Sequence, residues 1–136
     1  MMPTDLAFAT EALDFHRAIT VPDGPLAASR AELDALHQHC LALYALLDAH
    51  TTRTTPVDRA GGEALKAARV RLWQAAEHLH AAWHRAPATD ADRLLTAGGC
   101  RPRLPVCGRR LRMSVRVRRT HTPAELRAPF TGPHHL

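Results

Sequence analysis

A chain of 136 residues that is 46% apolar has the size of one domain and enough hydrophobic content to fold. Only 4% of it is aromatic and alanine supplies much of the apolar count, so the core must rely on close helix approach or on a second chain. The charge of +5 is unevenly spread: residues 1–99 hold eight Arg, one Lys and twelve Asp or Glu (net −3), whereas residues 100–136 hold nine Arg and one Glu (net +8).

These totals exclude several classes. No run approaches the roughly 20 apolar residues of a membrane span. The N-terminus has neither a positive n-region nor a long apolar h-region. Cys40, Cys100 and Cys107 do not form a disulfide framework, and a cytoplasmic protein with reduced thiols is expected. There is no G-x-S-x-G, Walker-type loop or Rossmann glycine pattern, and Ser29 and Ser114 are the only serines. Nucleophilic hydrolase chemistry is not expected.

Taken in order, Thr4 to Ile19 reads as a first helix, with Phe8 and Phe15 seven apart on one face. The VPDGP segment from Val21 to Pro25 is a turn signal. A second helix is predicted over 26–50, and the Ser29-x-x-Glu32 capping box allows a start at Ser29. Leu33, Leu36, Cys40, Leu43, Leu47 and His50 recur at three- and four-residue spacings as a heptad-like seam. Cys40 within it reads as a small buried hydrophobe. The TTRTT segment, 51–55, is a short link, which implies an antiparallel hairpin.

The third helix is predicted over 56–85, with Thr55 as cap, Pro56 in its first turn, and a weak start because Gly61 and Gly62 disfavour helix. Leu65, Leu72 and Leu79 form one heptad column; Ala68, Ala75 and Ala82 form another. Trp73 and Trp83 are expected in the core. A linker over 88–99 follows. Beyond it, Leu111, Met113, Val115 and Val117 alternate with Arg112, Ser114, Arg116 and Arg118, which is strand periodicity. A lone strand is unstable, so this stretch is expected to be disordered or to pair with something. Thr122-Pro123-Ala124-Glu125 reads as one more helix opening.

Two sets of residues are the candidates to carry chemistry. The first is Glu77, His80 and His84, which project from one side of the third helix at i, i+3, i+7. His80 and His84 form an H-x-x-x-H pair, a spacing that gives two ligands to one divalent metal. A helix-2 histidine (His37, His39 or His50) is the candidate to complete it. The match of Glu77 and His80 to the E-x-x-H of di-iron bundles lacks its counterpart. Ordinary surface histidines outweigh the metal reading, because the spacing is common on helices. Cys100, Cys107 and His121 have zinc-ligand types at spacings that fit no usual knuckle. The second set is Arg109, Arg110, Arg112, Arg116, Arg118 and Arg119, a basic cluster suited to nucleic-acid phosphates. One aromatic in the tail, Phe130, gives little base stacking.

The stretches LDFHRAITVPDGPLAASRAELDALHQHCLALYALLDAHTT (13–52) and RLWQAAEHLHAAWH (71–84) resemble a group of small uncharacterised helical proteins of high-GC actinomycetes, over roughly residues 3–86. The resemblance implies a helical bacterial protein and transfers no activity and no site residue.

The expected fold is all-α: a three-helix bundle built on a long antiparallel helical hairpin, with a basic, partly disordered C-terminal tail. The domain spans 1–99 and the tail 100–136. The expected function is that of a non-enzymatic interaction protein whose tail meets an acidic partner such as nucleic acid. The alternatives are a metal-dependent helical-bundle enzyme and a structural module that forms a homodimer through uncovered apolar surface.

Overall fold

The computed structural model describes residues 4–19, 21, 23–88 and 104–127, which form five helices and no strand. They are α1 (Thr4–Ala18), α2 (Arg30–Thr54), α3 (Arg59–Arg85), α4 (Pro105–Thr120) and α5 (Pro123–Arg127).

Capping sets the start of α2. The Ser29 hydroxyl accepts from the Glu32 amide at 3.1 Å and the Ser29 amide donates to the Glu32 carboxylate at 2.9 Å, so the helix begins four residues later than Leu26. Its end lies beyond the predicted His50. The polar threonines expected to be a link are its last turn, where the Thr51 and Thr52 hydroxyls donate to the carbonyls of Leu47 (2.7 Å) and Asp48 (3.0 Å). Asp58, rather than Thr55, caps α3 by accepting from the Gly61 amide at 3.0 Å. The two glycines that weaken this first turn on propensity serve its closure. A Cβ on Gly62 would lie 2.9 Å from the Thr55 Cα.

α2 and α3 run antiparallel as a closely packed hairpin. One cluster joins Leu41 and Tyr44 of α2 to Trp73 and Ala76 of α3, and a second joins Leu33 to Trp83. Both tryptophans are buried as expected. Arg30 also stacks on Trp83, 4.2 Å from the ring centroid.

The seams are rotated from their predicted positions. On α2 the buried positions are Leu33, His37, Leu41, Tyr44 and Thr51, while Leu36 and Leu43 are each 45% exposed. On α3 they are Gly62, Arg69, Val70, Trp73, Ala76 and Trp83; the Leu65, Leu72 and Leu79 column is half-buried, and Ala68 and Ala75 face outward. The reason is that α4 packs on the hairpin as well. Each face turns towards the space between two neighbours, and polar residues are tolerated there because each finds a partner: His37 in Arg109 of α4, Arg69 in Asp48 of α2, and Thr51 in the Leu47 carbonyl of its own helix.

α4 corrects the reading of the tail. The segment expected as a strand or as disorder is a helix that opens with Pro105 in its first turn. Val106, Met113 and Val117 face the hairpin at helical spacing, while Leu111 and Val115 point outward. Alternation of apolar and Arg residues fits either period over so short a run. A flanking strand is missing among the described residues, and Arg is a good helix former. α5 forms at the predicted opening, with the Thr122 hydroxyl accepting from the Glu125 amide at 3.2 Å.

α1 also differs. Its residues from Thr10 to Ala18 are exposed, with Leu13 at 47% and Phe15 at 59%, so this part does not cover the hairpin. It meets α2 where the His16 ring stands edge-on to His39, 4.9 Å between centroids.

Candidate metal centre

His80 and His84 lie one turn apart on α3, and α4 crosses them with its first turn. This places three donor atoms together. The Nε2 atoms of His80 and His84 are 3.2 Å apart, and Cys107 Sγ is 3.3 Å from His84 Nε2 and 3.5 Å from His80 Nε2. A tetrahedral zinc ion with bonds of about 2.0–2.1 Å to nitrogen and 2.3 Å to sulfur requires N···N near ~3.3 Å and N···S near ~3.5 Å. The three separations therefore match one tetrahedral face. His80 and Cys107 are half-buried and His84 is exposed, so the cluster lies at the surface end of the α3–α4 seam.

Of the expected set, His80 and His84 come together and Glu77 goes elsewhere. Its two oxygens accept from Arg110, Nε at 2.6 Å and Nη2 at 2.8 Å, a bidentate pair that raises the Arg110 pKa. Burial, then the neighbouring His84 and Arg110, lower the pKa of His80, against the opposing pull of Glu77.

The helix-2 histidines do not complete the trio. His37 is fully buried with its ring centroid 6.3 Å from that of His80, but its Nδ1 accepts from Arg109 at 3.1 Å. Among the described residues its Nε2 has no hydrogen-bond partner. Burial and the Arg109 charge depress its pKa to about 4. His39 is exposed against His16, and His50 is half-buried further along α2. The grouping of Cys107 with His121 is not found either. His121 is buried beside Tyr44, with Nε2 3.1 Å from the Tyr44 hydroxyl and Nδ1 3.3 Å from Glu125. Burial lowers the His121 pKa and raises that of Tyr44. Cys100 lies outside the described residues.

Sequence reasoning missed Cys107 as the companion of the H-x-x-x-H pair. The signal was Pro105 at a first helical position a few residues ahead of Arg109-Arg110-Leu111-Arg112-Met113, all good helix formers, which marks a helix start and so places Cys107 in a first turn.

The six tail arginines divide into two groups. Arg109 pairs with Asp34 at 2.9 Å, Arg110 with Glu77, and Arg116 with Asp48, which Arg69 also contacts. Arg112, Arg118 and Arg119 are exposed and make no ion pair among the described residues. Arg118 and Arg127 border a groove of about 390 Å³ floored by Trp73, Val117 and Leu126.

No helix among the described residues is long and apolar enough to cross a membrane. No curated protein and no solved structure matches the chain. A family model described as Family of unknown function (DUF6238) matches residues 2–136, and the chain belongs to that family.

Proposed function

We propose that the chain is a metal-binding helical protein in which one zinc-type divalent ion, held by His80, His84 and Cys107, ties α4 to α3. The observation that carries this reading is the set of three donor separations, 3.2, 3.3 and 3.5 Å, contributed by two helices far apart in sequence. The ligand set suits a borderline-soft ion: imidazole and thiolate favour zinc over magnesium or calcium. Glu77 leaves the expected ligand set because Arg110 occupies both of its oxygens. The test is stoichiometry. Purified protein is expected to bind one Zn²⁺, and Cys107→Ser and His80→Ala are each expected to weaken that binding more than tenfold. Unchanged affinity in Cys107→Ser defeats the site.

A second reading rests on exposed Arg112, Arg118 and Arg119: contact with an acidic partner such as nucleic acid. Half of the expected arginines are already paired within the chain, so this contact is smaller than the sequence implies. Replacing the three with Gln is expected to flatten the salt dependence of RNA or DNA binding, and an absence of salt-dependent affinity in the intact protein sinks it. A homodimer would draw on Leu36, Leu43 and Leu46, all exposed on α2, and mass in solution decides it.

A further inference from the structure

Among the described residues the proposed ion has three ligands, and a tetrahedral ion takes four. We infer that the fourth position is an exchangeable one that takes a small anion: hydroxide from water at rest, or a carboxylate or comparable anionic ligand. This rests on the metal reading above.

Three observations support it. First, among the described residues, Glu77 and His37 are the neighbouring side chains with suitable atoms, and both have other partners. Both Glu77 oxygens are held by Arg110 at 2.6 and 2.8 Å. His37 accepts from the Arg109 guanidinium, which only donates, and a neutral imidazole has one lone pair. His37 Nε2 therefore carries its hydrogen and cannot ligate. Second, that Nε2–H is a donor in a fully buried residue, without an acceptor among the described residues, on a ring 6.3 Å from the His80 ring. Buried donors are almost always satisfied, and an anion on the ion supplies the kind of acceptor this corner lacks. Third, His84 is exposed, so the cluster is open to solvent on one side.

The charges point the same way. A divalent ion with one thiolate and two neutral imidazoles carries +1. The adjacent Arg110–Glu77 and Arg109–Asp34 pairs each cancel internally, so the residual charge at the site is positive. An anion completes it without creating buried charge.

The experiment uses the full chain loaded with Co²⁺ and titrated with sodium azide at constant ionic strength. The expected result is a near-ultraviolet thiolate-to-cobalt band that persists throughout, with visible bands that shift along a saturable one-to-one isotherm. Raising the pH is expected to weaken azide binding, because hydroxide competes for the same position. Cobalt binding with the thiolate band but with visible bands insensitive to azide overturns this inference and leaves the metal site standing. No cobalt binding at all overturns both.

Discussion

The α2–α3 contact and the α4 contact are built from different chemistry. The hairpin buries Trp73, Trp83, Leu33 and Leu41 against one another and adds the fully buried Tyr44 and Ala76. Its strength comes from area removed from water, which is non-directional and tolerant of pH and salt. α4 adds Val106 and Val117 to those clusters, but its other anchors are Arg109–Asp34, Arg110–Glu77, Arg116–Asp48, the His121–Tyr44 contact and the Cys107–histidine cluster. Such contacts are directional, and several titrate. The hairpin is thus the less conditional part of the molecule, and docking of α4 depends more on protonation and ionic strength, with the proposed ion as a further tie.

The largest effect expected is on the hairpin. Trp73→Ala removes the side chain that both α2 and α4 pack on, and a loss of about 3–5 kcal/mol is expected in urea denaturation. A loss below about 1 kcal/mol would mean that this interface is not the main store of stability.

The next effect separates the two regions by pH. His37 has a folded pKa of about 4 against an ordinary value of 6.5. Between those values the unfolded chain binds a proton that the folded chain refuses, so stability falls as pH drops from 6.5 towards 4 and is unaffected above 6.5. The shift corresponds to about 3 kcal/mol at the low end. The lowered pKa values of His80 and His121 act in the same direction. Urea midpoints of the metal-free protein from pH 7 to pH 4.5 measure this, and His37→Leu should flatten the curve. A slope as steep in the variant as in the parent would assign the effect to other groups.

Tyr44→Phe tests the lower end of α4. It leaves His121 Nε2 without its buried partner at 3.1 Å, and a cost of about 1–2 kcal/mol is expected in thermal unfolding. An unchanged midpoint would show that this hydrogen bond adds nothing to docking.

The smallest effect is the most diagnostic for the site. The Arg110–Glu77 pair is about one-third exposed on each side, so Glu77→Gln should cost no more than about 1 kcal/mol. On the proposed ligand set, zinc affinity should stay within a few-fold of the parent, because Arg110 holds both Glu77 oxygens. A collapse of zinc binding in this variant would return Glu77 to the ligand set.

Much of the hairpin was legible in the sequence. Its two helices have strong apolar periodicity, a capping box at Ser29 and both tryptophans at core positions. The chosen stripe was off by a fraction of a turn, because periodicity shows that one face is apolar but not how many neighbours share it. His37 and Arg69 look wrong for a core until Arg109 and Asp48 are placed beside them. The site was half legible. An H-x-x-x-H pair is visible on one helix, whereas its third member lies 23 residues beyond His84 and depends on how α4 crosses.

By itself the sequence determined the helical character of the body, the hairpin, the turn at Gly24 and the imbalance of charge between body and tail. These follow from local signals: spacing, caps, glycine and proline, and composition. Tertiary structure alone decided that the basic segment is a docked helix, that half of its arginines are paired with the acids of α2 and α3, and that Cys107 rather than Glu77 meets the two histidines. The physical reason is that an ion pair or a ligand trio is a relation between distant positions. The choice of strand or helix for an alternating Arg-apolar run is made by the surface that receives it.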